Sequence, residues 1–172
     1  FSTENWKRDP TEISDLQGLL RYYLDTEMNT FQENNINFSV IGDRKGFGNT
    51  IIKKIKEFEE NTRENSKLFF VLALGYGSRN EILKAINNLI SMSKKNIREK
   101  EFNNYLMTKE IPDPDLVIRT SGEVRISNFL LWQIAYSELY FTKTLWPDFN
   151  SHKYEIALDN YSKRKRRFGK DI

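Results

Sequence analysis

Residues 115–127 read DLVIRTSGEVRIS. Leu116, Val117 and Ile118 form a short apolar run without alternation, the pattern of a strand covered on both faces as in a parallel sheet. Ser121-Gly122 then closes the run with a turn. Arg125 follows Arg119 by six positions, and the chain enters the nearly all-apolar NFLLWQIAY, residues 128–136. Two guanidinium groups across a small-residue turn make one of two things. They are internal ion-pair partners, for which Asp115, Glu123 and Glu138 are the candidate carboxylates, or they grip an anion.

Three further runs share the character of 115–120: NFSVIGD (37–43), LFFVLALG (68–75) and ELYFT (138–142). Helical periodicity fills the intervals. From Ile13 to Phe31 the apolar residues Ile13, Leu16, Leu20, Tyr23, Leu24, Met28 and Phe31 keep to one face. Asp9, Pro10 and Glu12 supply an N-cap, an N1 proline and an N3 carboxylate for that helix. The spacing predicts further helices over about 49–63, 78–92 and 151–168. Phe129, Leu130, Leu131, Trp132, Ile134 and Tyr136 would cover every face of one more, which would have to be buried. Residues 93–114 read as an irregular excursion. Helix and strand alternate, so the expected class is α/β, a single open, mostly parallel sheet with helices on both faces, in one domain spanning 1–172. Phe1-Ser2-Thr3, ahead of a capped helix, resembles the end of a strand whose beginning is absent, so an N-terminal βα portion is expected to be missing.

Composition narrows the function classes. The 172 residues carry a net charge of +3. Residues 163–172 hold six of the 27 Lys and Arg against one Asp, so the rest of the chain is net negative. The diffuse basic face of a nucleic-acid binder is absent. There is no cysteine, which closes disulfide and thiolate–metal readings. The single histidine, His152, has no His or Cys company for a zinc site. No apolar run reaches the length needed to span a bilayer.

In open α/β sheets ligands sit beyond the carboxyl ends of the strands. Three stretches map there. FSTENWKR (1–8) offers Ser2, Thr3, Asn5, Trp6 and Arg8, a polar cluster with one flat apolar wall. GYGSRNE (75–81) either cradles phosphate or simply turns, with Ser78 and Glu81 as a capping box. The opening stretch places Arg119 at a strand end and Ser127 at the expected start of a helix, where backbone N–H groups also face outward.

FSTENW, DLVIRTSGEVRISNFLLWQIAYSELYF, LWPDF and the terminal RRFG together resemble the cis-prenyltransferases, and among them the bacterial undecaprenyl diphosphate synthases. The resemblance runs from Phe1 to about Gly169. It implies sequential cis-condensation of isopentenyl diphosphate onto an allylic diphosphate such as farnesyl diphosphate, giving undecaprenyl diphosphate for the cell-wall lipid carrier. Arg119, Arg125, Ile126 and Ser127 match residues that hold isopentenyl diphosphate. Ser2, Thr3, Glu4, Trp6 and Arg8 match substrate-contacting residues. Asn5 matches a residue often assigned proton acceptance, although a neutral amide is better suited to orienting a diphosphate or a water. Glu138 matches a carboxylate associated with Mg2+. Arg167 and Gly169 match an element that completes the neighbouring subunit's site. The resemblance further implies a homodimer in the cytoplasm, at most peripherally associated with membrane, with Mg2+ as cofactor and no nucleic-acid partner.

Several departures accompany the matches. The family's Asp-Gly-Asn-Gly-Arg-Trp block does not occur in these residues, so the chain by itself is expected to be inactive. Gly75 stands where an asparagine is common, Val124 where some members have a metal-holding histidine, and Lys170 where a second glycine follows. The alternative is a non-catalytic partner subunit of a prenyltransferase complex. Retention of FSTENW and both arginines argues against it.

Overall fold

A computed structural model describes residues 1–166 and divides into two compact units, Phe1–Lys109 and Glu110–Ile172. The α/β class and the parallel sense of the strands follow the expectation. The named strands pair as two ladders of two, one in each unit.

In the first unit a 3-10 turn, Thr3–Lys7, leads into α1 (Pro10–Thr26), α2 (Met28–Glu33), β1 (Ile36–Ile41), α3 (Gly48–Asn61), β2 (Leu68–Ala73), α4 (Ser78–Ser91) and α5 (Glu99–Asn103). Asp9 caps α1 by accepting from the Thr11 N–H at 2.8 Å, with Pro10 at N1, as its sequence requires. The single helix expected over 13–31 is interrupted at Glu27, which closes α1 with N–H to Tyr23 O and opens α2. Apolar periodicity survives such a break because both segments still turn the same stripe toward the strands.

β1 and β2 run parallel in register from Ile36 against Leu68 to Ile41 against Ala73. Phe1–Thr3 continues this sheet beside the end of β2. The Phe1 nitrogen donates to Ala73 O at 3.0 Å, Tyr76 N to Phe1 O at 3.3 Å, and Thr3 N to Tyr76 O at 3.0 Å. The strand-like reading of Phe1-Ser2-Thr3 is thereby explained. The core lies under this sheet, where Phe38, Val40, Ile51, Ile55, Phe58 and Leu74 are buried together. A smaller cluster joins Ala85 and Leu89 of α4 to Phe102 and Leu106, so the stretch 93–114 contains a packed helix, α5.

The second unit holds β3 (Leu116–Arg119), β4 (Glu138–Phe141) and α6 (Ser151–Ser162). β3 and β4 pair in parallel from Leu116 against Glu138 to Arg119 against Phe141. Asn150 caps α6 through the Lys153 N–H, and the helix ends at Ser162, short of the expected Phe168. The buried helix expected over 129–136 is not formed. That run is a series of turns with positive φ at Ser127, Asn128 and Leu130. Only Gln133 and Ile134 within it are buried, while Tyr136 is 71% exposed. Greasiness on every face gives no phase to a helix, and the positive-φ residues at its start break the α ladder.

Among the glycines, Gly42 decides the most. Its φ is +113°, and a Cβ there would drive into the Leu74 carbonyl, so β1 and β2 come together at their carboxyl ends only because no side chain intervenes. Gly18, in the middle of α1, has nothing within 4 Å of a built Cβ. Gly42→Ala is expected to cost roughly 1–3 kcal/mol or more. Gly18→Ala is expected to add about 0.5–1 kcal/mol by restoring helix propensity. Urea unfolding of the two variants beside the parent checks both signs.

Candidate functional site

The first unit gathers most of FSTENWKR at the carboxyl ends of its strands. Ser2 is the N-cap of the 3-10 turn, and its N–H donates to Asn5 Oδ1 at 2.6 Å. A backbone N–H can only donate, so the amide orientation is settled: the oxygen faces Ser2 and the Nδ2 donor points away. Asn5 therefore presents a hydrogen-bond donor, the group an anion or a water needs. Thr3 Oγ1 donates to the exposed Glu4 carboxylate at 3.1 Å. Arg8 does not turn inward; it pairs with Glu12 on the surface, both about half-exposed, an arrangement that contributes at most about 1 kcal/mol.

Trp6 is the wall. Its ring meets Phe1 at 4.6 Å and Phe47 at 4.9 Å between centroids, both edge-to-face, and Phe1 meets Phe47 at 5.4 Å. Within this trio Trp6 lines a polar pocket of about 360 Å³ that includes Thr3, Asp43, Lys45, Gly75 and Asn80. Phe1 and Phe47 line an apolar cavity of about 370 Å³, together with Leu16, Leu20, Tyr23 and Leu74. Polar and apolar compartments thus share one aromatic cluster.

Gly75 and Asp43 form the floor of the polar pocket. Gly75 has φ +60°, and a Cβ there would strike the Asp43 carbonyl, so the asparagine common at this position would not fit without a backbone shift. The Asp43 N–H donates to Gly75 O at 3.2 Å. The Asp43 carboxyl is held below its ordinary value by the Lys45 N–H, helped by the Lys84 ammonium at 3.3 Å and opposed by partial burial. Asp43 and Lys45 were not among the sequence candidates, although the strand-end argument applied to IGDRKG reaches them.

GYGSRNE does not carry the expected capping box. Gly77 is the N-cap of α4, and the Glu81 side chain, 1% exposed, accepts instead from Tyr76 Oη at 2.6 Å and Met107 N at 2.8 Å.

In the second unit the quoted stretch closes on itself. Ser121 N donates to Thr144 O at 2.8 Å and Gly122 N to Thr142 O at 2.9 Å, fixing the turn. Arg119 Nη1 then reaches both the Arg125 carbonyl and Ser127 Oγ, the latter at 3.0 Å. Arg119, Arg125, Ile126 and Ser127 line one cavity of about 230 Å³, together with Val117, Phe129 and Phe141. Arg125 pairs with Glu123, so one arm of the ion-pair reading holds; Arg119 is engaged by a carbonyl and a hydroxyl instead of a carboxylate. Ser127 joins the cluster from a turn and not from a helix N-terminus.

Glu138 Oε2 accepts from Arg164 Nη1 at 2.7 Å, and Arg164 also donates to Leu139 O and Asn160 Oδ1. Asp115 is taken by Arg166, which also reaches Tyr161 Oη. Among the described residues no three of His, Cys, Asp and Glu gather as a metal-holding group. The Glu138 environment, a carboxylate already neutralised by a guanidinium, does not fit a divalent cation in this arrangement. Arg167 and Gly169 lie outside the described residues. No described helix is long and apolar enough to cross a membrane.

A pocket pairing polar donors with an adjoining apolar cavity, and a separate arginine cluster, are the parts of a prenyl-diphosphate enzyme. The family model described as "Putative undecaprenyl diphosphate synthase" matches residues 1–169, and the chain belongs to that family, the cis-prenyltransferases. It is 49% identical over 169 residues to the isoprenyl transferase of Fusobacterium nucleatum, covering 98% of this chain and 73% of that protein. It is 46% identical to the isoprenyl transferase of Thermotoga maritima, covering 98% and 74%. Its fold is similar to that of a probable undecaprenyl diphosphate synthase from Campylobacter jejuni (TM-score 0.90, 36% identity, 99% of this chain and 80% of that one). It is also similar to lavandulyl diphosphate synthase from Lavandula x intermedia, solved with dimethylallyl diphosphate (TM-score 0.93, 33% identity, 99% and 76%).

The Asp43 contribution to stability is present above the ordinary carboxylate value of 3.8 and is lost as pH falls through the depressed one. In Lys84→Met the Asp43 pKa, followed by carboxyl-carbon NMR, should rise toward 3.8 without reaching it, because the Lys45 N–H remains.

Proposed function

We propose that this chain carries substrate-binding machinery for the cis-condensation of isopentenyl diphosphate onto an allylic diphosphate of the farnesyl type, building a long polyprenyl diphosphate. The supporting observation is the packed trio Phe1, Trp6 and Phe47, which lines a polar pocket through Trp6 and an apolar cavity through Phe1 and Phe47. An allylic diphosphate has that same division, a dianionic or trianionic head on an apolar tail. Lys45 and Thr3 suit the head; α1 residues such as Leu16, Leu20 and Tyr23 suit the tail.

Arg119, Arg125, Ile126 and Ser127 are assigned to the isopentenyl diphosphate. Planar N–H forks and a hydroxyl match diphosphate oxygens, and Phe129 and Phe141 supply an apolar wall for a five-carbon tail. In the reaction the allylic C1–O bond breaks and diphosphate leaves with the electron pair. The terminal alkene carbon of isopentenyl diphosphate bonds to C1, and a proton passes from C2 to the released diphosphate or a water as the new double bond forms. Asn5 orients the diphosphate or a water and does not itself take that proton, since its amide has no basic lone pair to offer.

Magnesium belongs to this reading through the family resemblance. When bound it neutralises diphosphate oxygens, commonly with one or two carboxylates and water. A role for Glu138 in holding it requires that Arg164 give up the Glu138 Oε2. A homodimer completed by Arg167 and Gly169 is part of the same proposal.

Arg119→Glu and Arg125→Glu are each expected to weaken isopentenyl diphosphate binding by about 10–100-fold, the worth of one or two charge-assisted hydrogen bonds. Calorimetry checks this, and unaltered affinity in both would remove the assignment. In a labelled isopentenyl diphosphate incorporation assay these 172 residues, which include no Asp-Gly-Asn-Gly-Arg-Trp stretch, are expected to bind substrate without condensing it. A chain carrying that stretch ahead of Phe1 is expected to turn over. Binding of neither diphosphate would favour the non-catalytic partner subunit.

A further inference from the structure

Glu81 is the most deeply buried carboxylate among the described residues and touches neither candidate pocket. Burying a carboxylate is costly unless both oxygens are satisfied. Here they are: Oε2 accepts from Tyr76 Oη at 2.6 Å, a short charge-assisted geometry, and Oε1 from Met107 N at 2.8 Å. Tyr76, 3% exposed, is the residue whose backbone carries the segment 1–8. Its N–H donates to Phe1 O, its carbonyl accepts from Thr3 N, and it forms the parallel bridge to Ser2. It stands between Gly75, at φ +60°, and Gly77, so its neighbours impose little backbone restraint. The side-chain anchor supplies what the glycines do not.

The geometry points to Glu81 as a positioning residue. Through the Tyr76 hydroxyl it fixes the strand end on which Phe1–Thr3 is registered, and so sets where Thr3 and Trp6 stand around the polar pocket. The role is local. Ile55 and Phe58, which hold α3 in the main core, make no use of it. Tyr76→Phe removes only the hydroxyl and keeps the ring in place. Glu81→Gln keeps an acceptor for Met107 N while weakening the bond from Tyr76. The functional consequence rests on the diphosphate reading above; the positioning itself does not.

The test is amide hydrogen exchange by mass spectrometry on the parent, Tyr76→Phe and Glu81→Gln, with farnesyl diphosphate and isopentenyl diphosphate affinities measured on the same samples. The expected result is at least about tenfold faster exchange in the peptide covering residues 1–8, with α3 exchange unchanged. Farnesyl diphosphate affinity should fall by about tenfold, with isopentenyl diphosphate affinity retained. Unchanged exchange at 1–8 in both variants would overturn the inference. So would equal acceleration in α3, which marks a merely structural carboxylate. Should Tyr76→Phe fail to fold, the milder Glu81→Gln carries the same comparison. A parent that binds no diphosphate would sink the functional reading and leave the exchange pattern to decide the positioning role.

Discussion

The carboxyl ends of β1 and β2 meet at a distance that a single Cβ would abolish. Gly42 faces the Leu74 carbonyl and Gly75 faces that of Asp43, so two backbones approach where side chains would otherwise hold them apart. The bonds from Leu74 N to Ile41 O and from Asp43 N to Gly75 O depend on that closeness. So does the floor of the polar pocket. With the two strand ends in place, Tyr76 offers its backbone to Phe1–Thr3, and the 3-10 turn bearing Asn5 and Trp6 follows from there. Local backbone permissiveness at two glycines thereby becomes the placement of a functional segment.

The aromatic cluster is the second consequence. Edge-to-face contacts among Phe1, Trp6 and Phe47 contribute about 0.5–1.5 kcal/mol each beyond their buried area. Their larger effect is to join the linings of two different environments in one cluster. Gly46 belongs to this arrangement, because a Cβ there would meet the Trp6 indole. On the proposed reading, a ligand with a charged head and an apolar tail would have both halves of its solvation replaced beside one aromatic cluster. Either half alone would suit many ligands, whereas the pair selects amphipathic ones.

In the second unit guanidinium groups are divided between structure and site. Arg164 and Arg166 are consumed by Glu138 and Asp115 at the starts of the strands. Arg125 is tethered to Glu123 at the rim, and Arg119 holds a carbonyl and the Ser127 hydroxyl. Any diphosphate entering there competes with one exposed ion pair, a small cost in water. The Arg164–Glu138 pair is half-buried, and breaking it by removing a single partner would strand a charge. The basic end of the chain is thus, as far as Arg166, a fastening of its own unit.

Short-range chemistry was legible in the sequence. The Asp9–Pro10 cap, the four apolar strand runs, the helices starting near 49, 78 and 151, and the family resemblance at Arg119, Arg125 and Ser127 all follow from neighbours a few residues apart. Three matters did not yield to it. The apolar run 129–136 has no polar face to give it a phase, so its turns were decided by backbone at Ser127, Asn128 and Leu130. The fate of three carboxylates was decided by distant partners: Glu81 by Met107, Glu138 by Arg164, Asp43 by Lys84. The division of α1's apolar stripe between core and cavity was decided by what β1, β2 and Phe47 leave unfilled. Periodicity and capping act within one element and so can be read along the chain. Which charge meets which, and where space remains, depends on residues tens of positions apart, and only the folded arrangement brings them together.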